Sequence, residues 1–385
     1  TISTVRTFVS VYEGDCFAPL RQFSEYMQVS GLVMPESEPA AFEPMWCAWG
    51  YEREATFAEI LGTLPKVKEL GIKWATVDDG YQIAEGDWEL DTKRFPGGDR
   101  DMVDLVKKMK AYGLKVQLWW APLAADPGTK VLKENPDFIT LSKQQTPHYI
   151  TWWDSYYLSP VDSGVVSYSR DLVDRFMKKY DFDGLKLDGQ HLNSVHPDYN
   201  WKHHPECPQY SYEQLPGFFK MIYDESRSIN PHAVIQNCPC GCCMSFYNLP
   251  YTNQTVASDP TSSWQVRLKG YVYKALVPRT AYFGDHVELS DHGDDFASSF
   301  GIGAVLGTKF TWPKNNPKVK ADYRLTSEKE VIWKKWFSLY NEKMLSTGEY
   351  VNGLSAILVP KLMSFVRTVH CIMLFMLRRS TVISL

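Results

Sequence analysis

The chain has 385 residues, enough for one large domain with a sizeable core, and a formal net charge of -4 with 22% charged residues. No basic run stands out, which argues against a nucleic-acid partner, and the apolar stretch at 372–377 is too short and too flanked by charge to span a bilayer. Aromatic residues make up 14%, with 13 Trp and 22 Tyr, a content that suits a cleft for apolar-faced ligands such as sugars as well as ordinary packing.

Residues 1–41 mix apolar and polar character, with turn signals at Glu13-Gly14-Asp15 and between Pro35 and Pro39, and read as an approach segment. From Met45 to about Thr311 one pattern recurs: an apolar strand, a loop of polar and aromatic residues, then an amphipathic helix. Eight strand ends follow from it, at 46–49, 75–79, 116–120, 185–188, 234–237, 255–259, 281–284 and 304–310. Thr56 and Glu59 predict a capping box for a helix stopped by Gly71, Asp101 to Tyr112 predicts another stopped by Gly113, 165–180 is an amphipathic run, and Ser211 to Gln214 predicts a second box on a helix ended by Asn230-Pro231. Eight such units predict an α/β fold, a closed (β/α)8 TIM barrel over 42–348, with the doubly wound open sheet as the competing architecture. Ser327 opens a last helix, and 349–385 reads as a C-terminal extension, the truncated stub of a β domain.

In either architecture ligands bind at the carboxyl ends of the strands. That rule gathers Trp49, Asp78, Asp79, Trp119, Trp120, Lys186, Asp188, Asn237 and Asp259 at one mouth. In Gly184-Leu185-Lys186-Leu187-Asp188, a strand otherwise apolar, Lys186 and Asp188 share one face because side chains repeat every second residue. A buried ion pair holding the strand end is one reading; a nucleophilic carboxylate kept ionised by a neighbouring ammonium is the other. Asp259 opens Ser258-Asp259-Pro260 ahead of a helix, where it suits either a general acid or a helix cap, and capping by Ser262 fits equally well. Two carboxylates across a mouth are what glycoside cleavage requires, one attacking the anomeric carbon and one protonating the departing oxygen. Asp78-Asp79-Gly80 suits paired sugar hydroxyls for one carboxylate and a turn anchor for the other, and is a weak metal signal. The eight cysteines include Cys238, Cys240, Cys242 and Cys243, too tightly spaced for a zinc knuckle; no metal and no cofactor are expected.

Taken in order, these residues resemble the retaining α-galactosidases of glycoside hydrolase family 36 in clan D. Trp46-Cys47-Ala48-Trp49 is similar to the first-strand tryptophan motif, and Val77-Asp78-Asp79-Gly80-Tyr81-Gln82, with Gly86-Asp87-Trp88 and Lys93-Arg94-Phe95-Pro96, to the second-strand loop. Leu185-Lys186-Leu187-Asp188 resembles the nucleophile strand, Ser258-Asp259 with Arg267 the acid/base segment, and Gly284-Asp285-His286 the seventh-strand motif. The resemblance implies hydrolysis of terminal α-linked galactose through a covalent glycosyl-enzyme on Asp188, with Asp259 as acid and then base. It implies that Asp78, Asp79 and Lys186 hold the sugar, and that Trp49, Trp120, Cys238 and Arg267 belong to the binding site. The chain departs from the pattern at Trp119-Trp120-Ala121-Pro122, at Cys238-Pro239-Cys240-Gly241-Cys242, at Tyr81 and at Ser262-Ser263. Those loops contact the sugar's 2-position and the leaving group, so N-acetylgalactosamine, a modified galactose or another α-glycoside stays open. So do transfer to an acceptor sugar in the manner of raffinose synthase and a barrel that only binds carbohydrate.

Overall fold

The computed structural model describes residues 8, 9, 11, 12, 17–193, 195–204, 206–290, 295–313, 323–354, 361–367 and 370–376, from residue 350 onward as backbone only. The turn signal at Glu13-Gly14-Asp15 lies outside the described residues. Eight parallel strands close into a barrel in chain order: Met45–Cys47, Trp74–Val77, Lys115–Trp120, Gly184–Asp188, Val234–Cys238, Gln254–Val256, Ala281–His286 and Val305–Thr308. The first strand pairs with both the second and the eighth, Met45 lying opposite Trp74 and Gly307, so the sheet has no edge. The expected (β/α)8 barrel is therefore present, and the open sheet is excluded.

Outside the barrel lie the helices Phe57–Glu69, Asp99–Ala111, Ser163–Asp174, Leu215–Ile229, Ser263–Leu276, Phe296–Gly301 and Ser327–Lys343. The fifth connection is a 3-10 turn, Phe246–Tyr251, in place of a helix. The helices bury one apolar stripe against the strands, as with Ile60, Leu64 and Val67 or Phe218, Phe219 and Ile222. Inside, side chains pair as polar layers: Thr76 with Gln117 at 3.1 Å and Gln236 with Gln254 at 2.5 Å.

The Thr56 box forms in both directions, Glu59 N–H donating to Thr56 Oγ1 and Thr56 N–H to Glu59 Oε2. The second predicted box does not form: Ser211 donates to the His196 carbonyl instead, and the long helix restarts after Gln214 with Pro216 in its first turn. Residues 1–41 hold more than an approach segment, since Ala18–Val29 is a helix on the flank of the barrel. Ser24 donates to Leu276 O at 2.5 Å and Phe17 stacks on Tyr271 at 4.9 Å. Past Thr347 the backbone forms an antiparallel meander, Glu349–Leu354, Lys361–Arg367 and His370–Met376, ordered by continuous strand pairing where side-chain alternation is weak. No helix among the described residues is long and apolar enough to cross a membrane.

Candidate active site

The fourth strand supplies the centre of the site. Its register sets Lys186 opposite Trp119 on the third strand and Gln236 on the fifth, and Asp188 opposite Cys238. Trp119, Lys186, Asp188 and Cys238 therefore share the face that looks into the barrel. Lys186 Nζ lies 2.8 Å from Asp78 Oδ2 and 3.8 Å from Asp188 Oδ2. The indole N–H of Trp119 donates to Asp188 Oδ2 at 2.8 Å, and the Cys47 thiol donates to Asp78 Oδ2 at 3.0 Å. Asp188 Oδ1 is buried with no hydrogen-bond partner.

Lys186 thus has two anionic neighbours and serves them unequally. At contact distance it holds Asp78 below the usual carboxylate range even though burial pushes the other way. For Asp188 burial wins. Desolvation, reinforced by the charge of Asp259, outweighs Lys186 and the Trp119 hydrogen bond and lifts this carboxyl to about 7.

Asp79, beyond the end of the second strand, takes different partners from Asp78. Arg53 Nε donates to its Oδ2 at 2.7 Å and Gln82 Nε2 to its Oδ1 at 2.7 Å. Gly80 makes this arrangement possible: its φ is +110°, and a Cβ there would stand 2.6 Å from the Arg53 backbone. Behind the pair sits buried Glu85, 3.4 Å from Arg53 Nη2, pushed up to about 8 by burial and by the charges of Asp79 and Asp126.

Across the mouth, the sixth strand is followed after Ala257 by two successive residues in the left-handed region, Ser258 at φ 55° and Asp259 at φ 45°. The helix that follows is capped by Ser262, whose Oγ accepts from Gln265 N–H, which leaves the Asp259 carboxyl uncommitted to a cap. The buried ammonium of Lys269 binds the carbonyls of Gly241, Ala257 and Ser258 at 2.6 to 3.0 Å and fixes this turn against the cysteine-rich loop. The Asp259 backbone N–H donates to Asp285 Oδ2 at 2.7 Å. Asp285 sits at φ 63° in a register shift of the seventh strand, which lets it and His286 both reach the cavity. Burial, followed by the charge of Asp285, pushes the Asp259 carboxyl up.

These groups line one cavity of about 400 Å³. It contains Trp49, Asp78, Asp79, Trp119, Lys186, Asp188, Cys238 and Asp259 from the predicted set. Arg53, Trp152, Trp153, Cys240, Asp285 and His286 complete it. Two predicted binding residues lie elsewhere. Trp120 follows Trp119 and so faces the other way, packing on Trp88 and Phe176. Arg267 donates to Ser298 Oγ at 2.6 Å and does not line the cavity. Asn237 also misses the mouth, because it pairs with Leu187 and shares that outward face. Arg53 stands in the 3-10 segment Ala48–Glu54 and Trp152 and Trp153 at a hairpin tip, where no periodicity marks them; Asp285 carried a signal in Gly284-Asp285-His286. The six cysteines whose side chains are described, Cys47, Cys207, Cys238, Cys240, Cys242 and Cys243, are free thiols. Among the described residues no three His, Cys, Asp or Glu side chains converge to hold a metal ion.

A closed parallel barrel with aspartates gathered around one lysine and several tryptophans at its mouth has its candidate site where such barrels place theirs, at the carboxyl ends of the strands. The chain belongs to the Melibiase family, whose model matches residues 38–298. It is 27% identical over 360 residues to the A type blood alpha-D-galactosamine galactosaminidase of Flavonifractor plautii, covering 90% of this chain and 31% of that protein. Alpha-galactosidase 1 of Pediococcus pentosaceus is 25% identical over 202 residues, 49% of this chain and 26% of that one. The alpha-galactosidase from Lactobacillus brevis shares the fold with a TM-score of 0.71 at 17% identity, covering 91% of this chain and 48% of its own. The GH36 alpha-galactosidase AgaA of Geobacillus stearothermophilus in complex with raffinose also gives 0.71, at 16% identity, with 91% and 49% covered. This chain thus spans about half or less of the length of these relatives.

Proposed function

We propose that this chain is the catalytic barrel of a retaining, exo-acting glycoside hydrolase that cleaves terminal α-linked galactose or a galactose derivative by double displacement. The observation that carries the reading is that Asp188 and Asp259, from the fourth and sixth strands, line one cavity with two paired grips between them, Asp78 with Lys186 and Asp79 with Arg53. In the first step the Asp188 carboxylate attacks the anomeric carbon while Asp259 gives its proton to the glycosidic oxygen. In the second, Asp259 takes a proton from water, and the water oxygen displaces Asp188 from the sugar. The paired grips hold polar hydroxyls with charge-assisted hydrogen bonds and fix the ring for in-line attack.

A second reading concerns the derivative. Five aspartates line the cavity (78, 79, 188, 259 and 285); with the acid proton on Asp259, four carboxylates face two cations, Arg53 and Lys186, each already engaged with one of them. Burial keeps His286 neutral. This excess of carboxylate favours a sugar bearing a 2-ammonium group over one bearing a hydroxyl or an acetamide, in line with the galactosamine in the name of the Flavonifractor plautii relative. The test is turnover of p-nitrophenyl α-galactoside, α-galactosaminide, N-acetyl-α-galactosaminide and α-glucoside. Expected is hydrolysis of galacto-configured substrates, with the free amine ahead of the acetamide. Preference for the glucoside, or no turnover of any substrate by folded protein, would overturn the proposal.

Because the Trp119 indole lowers the Asp188 pKa, Trp119→Phe removes a stabiliser of the ionised nucleophile. The acidic limb of kcat/KM against pH is therefore expected to move upward, by up to roughly one unit.

A further inference from the structure

Trp152 and Trp153 form the tip of a hairpin between the short strands Tyr149–Ile150 and Ser155–Tyr157, in the loop after the third barrel strand. The two rings have opposite fates. Trp153 is built into the wall, edge-on to Trp119 at 6.0 Å and to His191 at 5.2 Å. The hairpin is itself pinned, Trp153 N–H donating to Ile150 O and Ser155 donating to Asp126 Oδ1 at 2.5 Å. Trp152 lines the same cavity yet leaves 70% of its surface in solvent. A large ring held this exposed on a braced turn at the rim of a site invites a flat apolar partner.

We infer that Trp152 is the platform for the leaving-group sugar, the first residue beyond the cleaved bond, and so a specificity-determining residue. The inference rests on the exo-hydrolase reading above. In that reading the terminal sugar enters first and settles between Asp78, Lys186, Asp79 and Arg53, all at the strand ends, so whatever follows it projects outward past the rim. Trp152 lines this cavity while most of its ring stays in solvent, so it stands at the outer end, past the groups that hold the terminal sugar, and faces the next one. The apolar face of a pyranose ring stacks on an indole without requiring directed polar groups, and the indole provides that face at little cost in rotamer freedom.

The experiment compares wild type, Trp152→Ala and Trp152→Phe on two substrates of the sugar that wild type accepts: the α-glycosyl fluoride, whose leaving group has no ring, and an α-linked trisaccharide. Expected for Trp152→Ala is a loss of kcat/KM on the trisaccharide roughly ten-fold or more larger than any loss on the fluoride, partly restored in Trp152→Phe. Equal kcat/KM for the trisaccharide in Trp152→Ala and wild type would overturn the inference. So would a parallel loss on both substrates, which would make Trp152 a support of the cavity wall. Failure of wild type on both substrates would instead overturn the hydrolase reading beneath it.

Discussion

Asp188→Asn is expected to abolish turnover and at the same time to make the protein more stable, by a margin that grows with pH. The amide has the shape of the carboxyl but cannot attack the anomeric carbon, so the loss of kcat should reach at least about 10³-fold. The stability effect follows from the raised pKa. The Asp188 carboxyl titrates near 7 in the folded chain against 3.8 ordinarily, because burial disfavours its charge more than Lys186 and Trp119 favour it. Its contribution to stability is fully present below pH 4, where the proton is bound in both states, and is lost as pH rises through about 7. Asparagine removes that dependence. The gap in unfolding free energy between Asp188→Asn and wild type should be small at pH 4 and on the order of 2–4 kcal/mol at pH 8. Urea unfolding at the two pH values measures it. A variant that is inactive but less stable at pH 8 would mean that the ion pair with Lys186 outweighs desolvation.

Asp259→Ala is expected to separate substrates by leaving group. An oligosaccharide leaves as an alkoxide unless it is protonated, so its kcat/KM should fall by about 10²–10⁴-fold, whereas a glycosyl fluoride needs no acid and should still form the glycosyl-enzyme. Without a base the second step then stalls. Azide, a nucleophile that needs no deprotonation, should restore turnover and yield the α-glycosyl azide, since it displaces Asp188 from the face that water normally uses. Isolation of the β-azide, or an equal loss on fluoride and oligosaccharide, would assign Asp259 another role.

The strands were legible because a barrel strand is buried on both faces and shows as a short apolar run between turn residues; Gly184 to Asp188 and Val234 to Cys238 are examples. The same run made Lys186 and Asp188 conspicuous as the charged exceptions. Which face of a strand looks into the barrel was legible only once the register was known. Two adjacent tryptophans after the third strand look alike in sequence, and pairing with Lys186 decides that Trp119, not Trp120, faces the cavity. Asp259 was ambiguous for a different reason, because Asp-Pro ahead of a helix is also a capping signal and Ser262 lies three residues on. Arg53 and Trp152 escaped because the geometry of a short 3-10 segment and of a hairpin tip depends on contacts distant in sequence: Arg53 on Gly80, and the Trp152 hairpin on Asp126, Trp119 and His191.

The central claim, that Asp188 carries the sugar between the two steps, is tested most directly by trapping. Incubation with a 5-fluoro-α-galactosyl fluoride, or its 2-amino counterpart, slows the second step, and peptide mass spectrometry then locates the bound sugar. The expected result is one glycosyl group on the peptide that contains Asp188, absent from Asp188→Asn. A glycosyl group on any other residue, or steady hydrolysis of the reagent while Asp188 stays unmodified, would contradict it.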